Sequence, residues 1–156
     1  MKLVLMQVGG TVDKYLITGI AEYAKRLKHY TNFESVEIAD VKNAGRLKRN
    51  ELMKKEGVEI LSRLNSGDYV ILLDPLGKQL SSEKFASFIQ TRMNSGVKRV
   101  VFIIGGAFGF SDEVYNRADN KLSLSSMTFS HRMIRLLFTE QLYRAFTILK
   151  GEKYHH

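Results

Sequence analysis

The sequence contains no cysteine, no tryptophan and a single proline, Pro75, in 156 residues. Without cysteine there is no disulfide, no thiolate nucleophile and no cysteine-bound metal, and a reducing compartment is the natural setting. With one proline and no run rich in Ser, Gly and Pro, nothing reads as a linker, so one domain spanning residues 1–156 is expected. Long hydrophobic runs are missing as well. The opening Met-Lys-Leu-Val-Leu-Met-Gln-Val is about one strand long and runs into Gly9-Gly10, too short for a membrane span and unlike a secretory signal. A cytoplasmic protein without a membrane partner is therefore expected.

Other absences narrow the chemistry. The four histidines (His29, His131, His155, His156) lack the i, i+4 or similar spacing to a second ligand type, so no metal site is expected. No G-x-S-x-G elbow is present, which argues against a serine-triad hydrolase. Negative charge is the scarcer sign: 16 Asp and Glu against 24 Lys and Arg leave a net +8. Most of the excess lies in two segments. Residues 41–63 hold seven Lys and Arg, Lys48 and Arg49 among them, against three Glu; residues 130–156 hold five against two. Concentrated positive charge suits a polyanion such as nucleic acid. Because Glu51, Glu56 and Glu59 interleave with the cations, a solvated helix face fits as well, and charge alone does not separate the two.

What is present is a regular alternation. Strand-like segments at Leu3–Val8, Phe33–Ile38, Asp68–Leu73, Arg99–Ile104 and Lys121–Leu124 are separated by helical patterns. Helices are predicted over Asp13–His29, from about Gly45 to Leu64 with Ile60, Leu61 and Leu64 buried, from Ser81 or Ser82 to Ser95, from Ser111, and over Ser130–Lys150 closed by Gly151. The third strand is expected to stop at Asp74-Pro75-Leu76-Gly77. Continuous rather than alternating apolar strands imply a parallel sheet covered on both faces, hence the α/β class. The last helix carries Met133, Ile134, Leu136, Leu137, Phe138, Leu142 and Phe146 over more than one face, which predicts a second covering partner, most simply a homodimer.

In open α/β sheets, ligands collect at the carboxyl ends of the strands. Three such ends are distinctive: Leu73–Gly77, Gly105–Gly109 and Leu124–Phe129. The second has the spacing G-G-x-x-G. It is therefore neither the G-x-G-x-x-G of a dinucleotide enzyme nor a phosphate-gripping loop with Lys-Ser/Thr. The third feeds hydroxyls, a histidine and two arginines (Ser125-Ser126-Met127-Thr128-Phe129-Ser130-His131-Arg132-Met133-Ile134-Arg135) into a core-like helix, which needs only a cap to begin.

Those residues, with Glu140–Phe146 and Gly151-Glu152-Lys153-Tyr154-His155-His156, resemble the C-terminal half of the bacterial SPOUT-class methyltransferases that N3-methylate a pseudouridine of 23S ribosomal RNA, the RlmH family. The likeness extends over the chain, through Met-Lys-Leu at the start, Gly-Ile-Ala-Glu-Tyr-Ala-Lys-Arg at 19–26, and Leu73-Asp74 followed by Gly77-Lys78. On this likeness Tyr154-His155-His156 reads as native sequence. The resemblance implies an α/β fold with a C-terminal trefoil knot, S-adenosyl-L-methionine as cofactor, a homodimer, and ribosomal RNA in the ribosome as partner. It assigns Leu73, Gly105, Leu124, Ser125, Ser126, Met127, Thr128 and Phe129 to the cofactor. His131, Arg132 and Arg135 are expected to face RNA together with Lys48 and Arg49. Arg144, Tyr154 and His155 are expected to orient the base and manage its proton, the tail of one subunit completing the site of the other. One position departs from the pattern: Phe108 stands where family members often carry a polar residue. A ribosome-binding protein without catalysis remains the competing reading; it accounts for the charge but leaves the three strand-end loops without a purpose.

Overall fold

A computed structural model describes residues 1–156. Five strands form one sheet: β1 (Lys2–Val8), β2 (Asn32–Ile38), β3 (Tyr69–Gln79), β4 (Arg99–Ile104) and β5 (Asn120–Ser123), in the order β2-β1-β4-β3-β5 with every pairing parallel. Between and after them lie α1 (Lys14–Leu27), α2 (Arg49–Ser62), α3 (Ser82–Asn94), α4 (Asp112–Arg117) and α5 (His131–Leu149). The expected class and element order are what the molecule shows.

Residues alternate across each strand, and both faces are buried because helices cover both. Leu3 and Leu5 join Phe102, Ile71 and Leu73 under α3 and α5, where Phe85, Phe138 and Phe146 complete the larger core. Val4, Met6 and Val8 turn the other way, to Val101, Ile103, Ile60 of α2 and Val114 of α4. No helix is long and apolar enough to cross a membrane.

Three expectations shift. First, β3 does not stop at Asp74. It bulges over Asp74–Gly77, then pairs with β5 again at Lys78↔Leu122 and Gln79↔Ser123. A bulge is where a strand tolerates proline, because the missing N–H falls outside the ladder. Gly77 is required there: a Cβ would stand 2.5 Å from the Leu122 nitrogen. Second, α2 buries Leu52, Glu56, Gly57 and Ile60, while Leu61 and Leu64 are only half-buried. Third, the breadth of the apolar surface of α5 is largely met inside the chain, since α1 and α3 flank it over the sheet; Phe138, Leu142, Ala145 and Phe146 are buried and Leu136 abuts Gly19 of α1.

Candidate functional site

The bulge of β3 and the exit loops of β4 and β5, the two strands that flank it, meet at one end of the sheet. There they enclose a cavity of two adjoining lobes. A small inner lobe, about 110 Å³, lies between the β3 bulge and residues 122–129. A larger open lobe, about 510 Å³, extends over the glycine loop and the start of α5. Leu73, Asp74, Pro75, Thr128, Phe129 and Ile134 border both. Every residue assigned to a cofactor from sequence (Leu73, Gly105 and Leu124 to Phe129) lines this cavity.

Local hydrogen bonds explain why a hydroxyl-rich stretch precedes α5. Ser130 is the N-cap, its Oγ accepting from the Met133 N–H at 3.2 Å. The Ser125 Oγ accepts from Met127 N–H at 3.0 Å, and the Ser123 hydroxyl donates to the Ser125 carbonyl at 3.0 Å, which folds the loop into a wall. On the opposite side Gly105 is pressed against Phe110, where a Cβ would meet ring carbon at 3.0 Å.

The walls suit an adenosine-bearing sulfonium. Leu73, Leu124, Met127, Phe129 and Ile134 offer an apolar slot for a planar base, while the open lobe carries polar ends. Asp74 is the sole acidic side chain on either lobe; Arg49 and His131 are the basic ones. The Arg49 guanidinium lies 5.4 Å from the Phe108 ring centroid at the mouth, a cation–π pair that uses the residue departing from the family pattern. Burial, with the cations of Arg135 and Arg132 nearby, pushes the His131 imidazole below its ordinary value.

Of the residues expected to face RNA, Lys48 and Arg49 are exposed at the start of α2. Arg132 is partly exposed and lies 3.5 Å from Asp13. Arg135 does not face RNA. It is 0% exposed, donates to the Val8 carbonyl at 2.6 Å and to the Thr11 hydroxyl at 2.7 Å, and ties α5 to the exit of β1. Arg132, three residues earlier on the same side of α5, reaches outward to Asp13, whereas Arg135 is drawn inward by Val8 and Thr11.

The three residues expected at the reacting base come together at the other end of α5. Gly151, with φ +67°, ends the helix in a Schellman turn, its N–H bonding Ile148 O and the Glu152 N–H bonding Thr147 O. The tail thus folds back. Tyr154 donates to Glu140 at 3.0 Å, Arg144 donates to the same carboxylate at 2.6 Å, and the Arg144 guanidinium sits 4.7 Å from the Tyr154 ring centroid. His155 meets Arg144 through Nδ1 at 3.3 Å and Glu83 through Nε2 at 2.9 Å. Arginine only donates, so Nδ1 accepts and Nε2 carries the proton given to Glu83. Its own helix-start N–H and then His155 hold the Glu83 carboxyl down to about 2. Burial, then the bonds to Tyr23 and Glu140, push the Tyr154 phenol upward, so it stays a donor. Glu140, Glu83 and Tyr23 were missed from the sequence, as were Asp74 and Tyr115 at the cavity. Their neighbours lie 41 and 131 positions away for Asp74–Tyr115 and Tyr23–Tyr154, beyond any local pattern.

A family model described as "Predicted SPOUT methyltransferase" matches residues 1–155. The chain is 56% identical over 156 residues to the Ribosomal RNA large subunit methyltransferase H of Christiangramia forsetii, covering 100% of this chain and 99% of that one. It is 52% identical to the protein of the same name from Cytophaga hutchinsonii, with 100% of both chains covered. The chain belongs to the SPOUT methyltransferases. Within them it is a member of the RlmH family. Solved structures agree on the SPOUT fold at remote identity: a probable methyltransferase from Bordetella pertussis Tohama I superposes with TM-score 0.54 at 9% identity, covering 93% of this chain and 94% of the other. A probable methylase family protein from Haemophilus influenzae Rd KW20 gives 0.52 at 11%, covering 99% and 70%.

From Ile134, the last residue of α5 that lines the cavity, to Arg144 is ten residues of helix, or about 15 Å at 1.5 Å per residue. In this SPOUT chain the cofactor-type cavity and the Arg144–Tyr154–His155 cluster therefore stand at opposite ends of α5.

Proposed function

We propose that this protein transfers a methyl group from S-adenosyl-L-methionine to N3 of a pseudouridine in 23S ribosomal RNA, within the ribosome, as a homodimer whose two active sites are each shared between subunits. The observation that carries the reading is the pairing of a three-loop cavity of the right chemistry with a polar cluster about 15 Å away along α5. Family membership supports the methyl transfer and the ribosomal substrate. The same membership supports a C-terminal knot and a single domain over residues 1–156.

When bound, the cofactor supplies a methyl group on a positively charged sulfur. The chain's task is alignment and charge control. Leu73, Gly105 and Leu124–Phe129 hold the nucleoside and fix the direction of the methyl. Arg144, clamped by Glu140, presents its remaining N–H donors toward a nucleobase carbonyl, where they favour the N3-deprotonated, nucleophilic form. Tyr154 stacks against or donates to the base. His155, with Nε2–H committed to Glu83, turns Nδ1 as an acceptor toward Arg144 and helps to hold that guanidinium in place. Lys48, Arg49 and Arg132 contact RNA phosphates and set affinity more than target choice.

The distance along α5 favours completion of each cavity by the Arg144–Tyr154–His155 cluster of the partner subunit. Deleting residues 152–156 is expected to leave dimerisation and cofactor binding in place and abolish methylation. In verified heterodimers of that subunit with a Gly105→Val subunit, one intact site reforms and activity returns. Absence of activity in such heterodimers refutes sharing. Failure of the wild type to methylate free 23S RNA, large subunits and whole ribosomes alike, read by mass spectrometry of the RNA, refutes the function and leaves the non-catalytic RNA binder.

A further inference from the structure

A cavity for a sulfonium faces a selection problem that the general family fit does not address. After transfer, the cofactor loses its positive charge and becomes a neutral thioether of nearly the same shape. A pocket built only of apolar walls and backbone holds both alike, and the spent form then competes with the fresh one.

The cavity has one device suited to that difference. Asp74 is its sole acidic side chain and borders both lobes. It is 6% exposed, so its charge is little screened by solvent. Its two oxygens are fixed from different elements: Oδ1 accepts from the Leu76 N–H at 2.8 Å, and Oδ2 accepts from the Tyr115 hydroxyl of α4 in a short hydrogen bond. Tyr115 is itself held, edge-on to Phe110 at 5.8 Å between centroids, with the Lys121 ammonium 5.5 Å above its ring. No arginine or lysine pairs with Asp74 within salt-bridge distance, so its negative charge is not cancelled. Such a carboxylate, held in place by hydrogen bonds and paired with no cation of the chain, is open to a cationic ligand.

The place also fits. The inner apolar lobe suits the nucleoside and the open lobe suits the amino-acid end. The charged sulfur joins those two parts in the cofactor, as Asp74 joins the two lobes.

We propose that Asp74 makes this pocket prefer the positively charged methyl donor over its neutral product, and that Tyr115 is the positioning residue that holds the carboxylate in place. The inference rests on the cavity being the S-adenosylmethionine site.

The test is calorimetric titration of the purified dimer with S-adenosylmethionine, S-adenosylhomocysteine and sinefungin, which carries an amine cation near the methyl position. One fixed charge within about 7 Å at an effective dielectric near 20 changes affinity by more than about tenfold. Asp74→Asn keeps the size and an acceptor for Leu76. It is expected to weaken both cationic ligands about tenfold more than S-adenosylhomocysteine, the difference shrinking as salt is raised. Equal weakening of all three, or none, shows a mere loop prop and overturns the proposal. Tyr115→Phe, which preserves packing, is expected to lower the same ratio a few-fold and decides the matter should Asp74→Asn not fold; an unchanged ratio there overturns it. If the wild type binds none of the three, the cavity reading itself has failed.

Discussion

Removing the Arg135 side chain separates a structural strut from an RNA contact. The wild-type guanidinium makes two charged hydrogen bonds, to the carbonyl of Val8, itself 3% exposed, and to Thr11. Each such bond contributes about 1.5–3 kcal/mol, and a buried carbonyl left without a partner costs about 1–3 kcal/mol. Against this stand the desolvation that lowers the Arg135 pKa and the buried Nε, which has no hydrogen-bond partner. Balancing these terms, Arg135→Ala is expected to destabilise the fold by about 3 kcal/mol. Arg135→Met, which refills most of the space but still orphans Val8 O, should cost about 1–2 kcal/mol. For a chain of this length that is about 6–12 °C in Tm for the alanine variant. Urea titration followed by far-UV circular dichroism, at one fixed protomer concentration, reads the difference. RNA affinity of the folded fraction, and its dependence on salt, should stay at wild-type level. A variant with a wild-type urea midpoint but weakened RNA binding and a salt slope reduced by about one would refute the buried-strut reasoning.

Lys48→Ala with Arg49→Ala should weaken all RNAs similarly and lower the salt slope by about one per lost phosphate contact; an unchanged slope in a filter-binding series marks α2 as a solvated face. Gly105→Val sets branched carbon where a Cβ already meets Phe110 at 3.0 Å, so cofactor affinity in calorimetry should fall at least about tenfold while far-UV dichroism is kept. Glu56 lies buried beside Gly106, and burial, followed by the charge of Asp40, raises its pKa. The folded state thus binds its proton more tightly, and stability falls as pH rises from the ordinary 4.5 through the raised value. Glu56→Gln should therefore melt higher than wild type at pH 7, with the gap closing below about pH 4; a lower melting point at pH 7 would show a carboxylate that serves the fold in its charged form.

The α/β class, the five strands and the loops after β4 and β5 were legible in the chain's local signals. Continuous apolar runs mark strands buried on both faces, and Ser81, Ser111 and Ser130 mark helix starts that the structure uses as N-caps. The same local signals place the stop of α5 at Gly151 and keep the tail close to it, since five residues cannot travel far. Which polar residue meets which depends on the packed fold. Pro75 reads as a strand end locally, yet β5 lies alongside and lets β3 resume beyond a bulge. Arg135 reads as one more cation beside Arg132, yet α1 and β1 enclose it and leave Arg132 outside. Asp74 finds Tyr115, and Glu140 gathers Arg144 and Tyr154, through contacts that depend on strand order and helix rotation. Periodicity carries the first kind of information because it repeats along the chain; a hydrogen bond between distant segments does not repeat, and exists only once the sheet has brought its partners together.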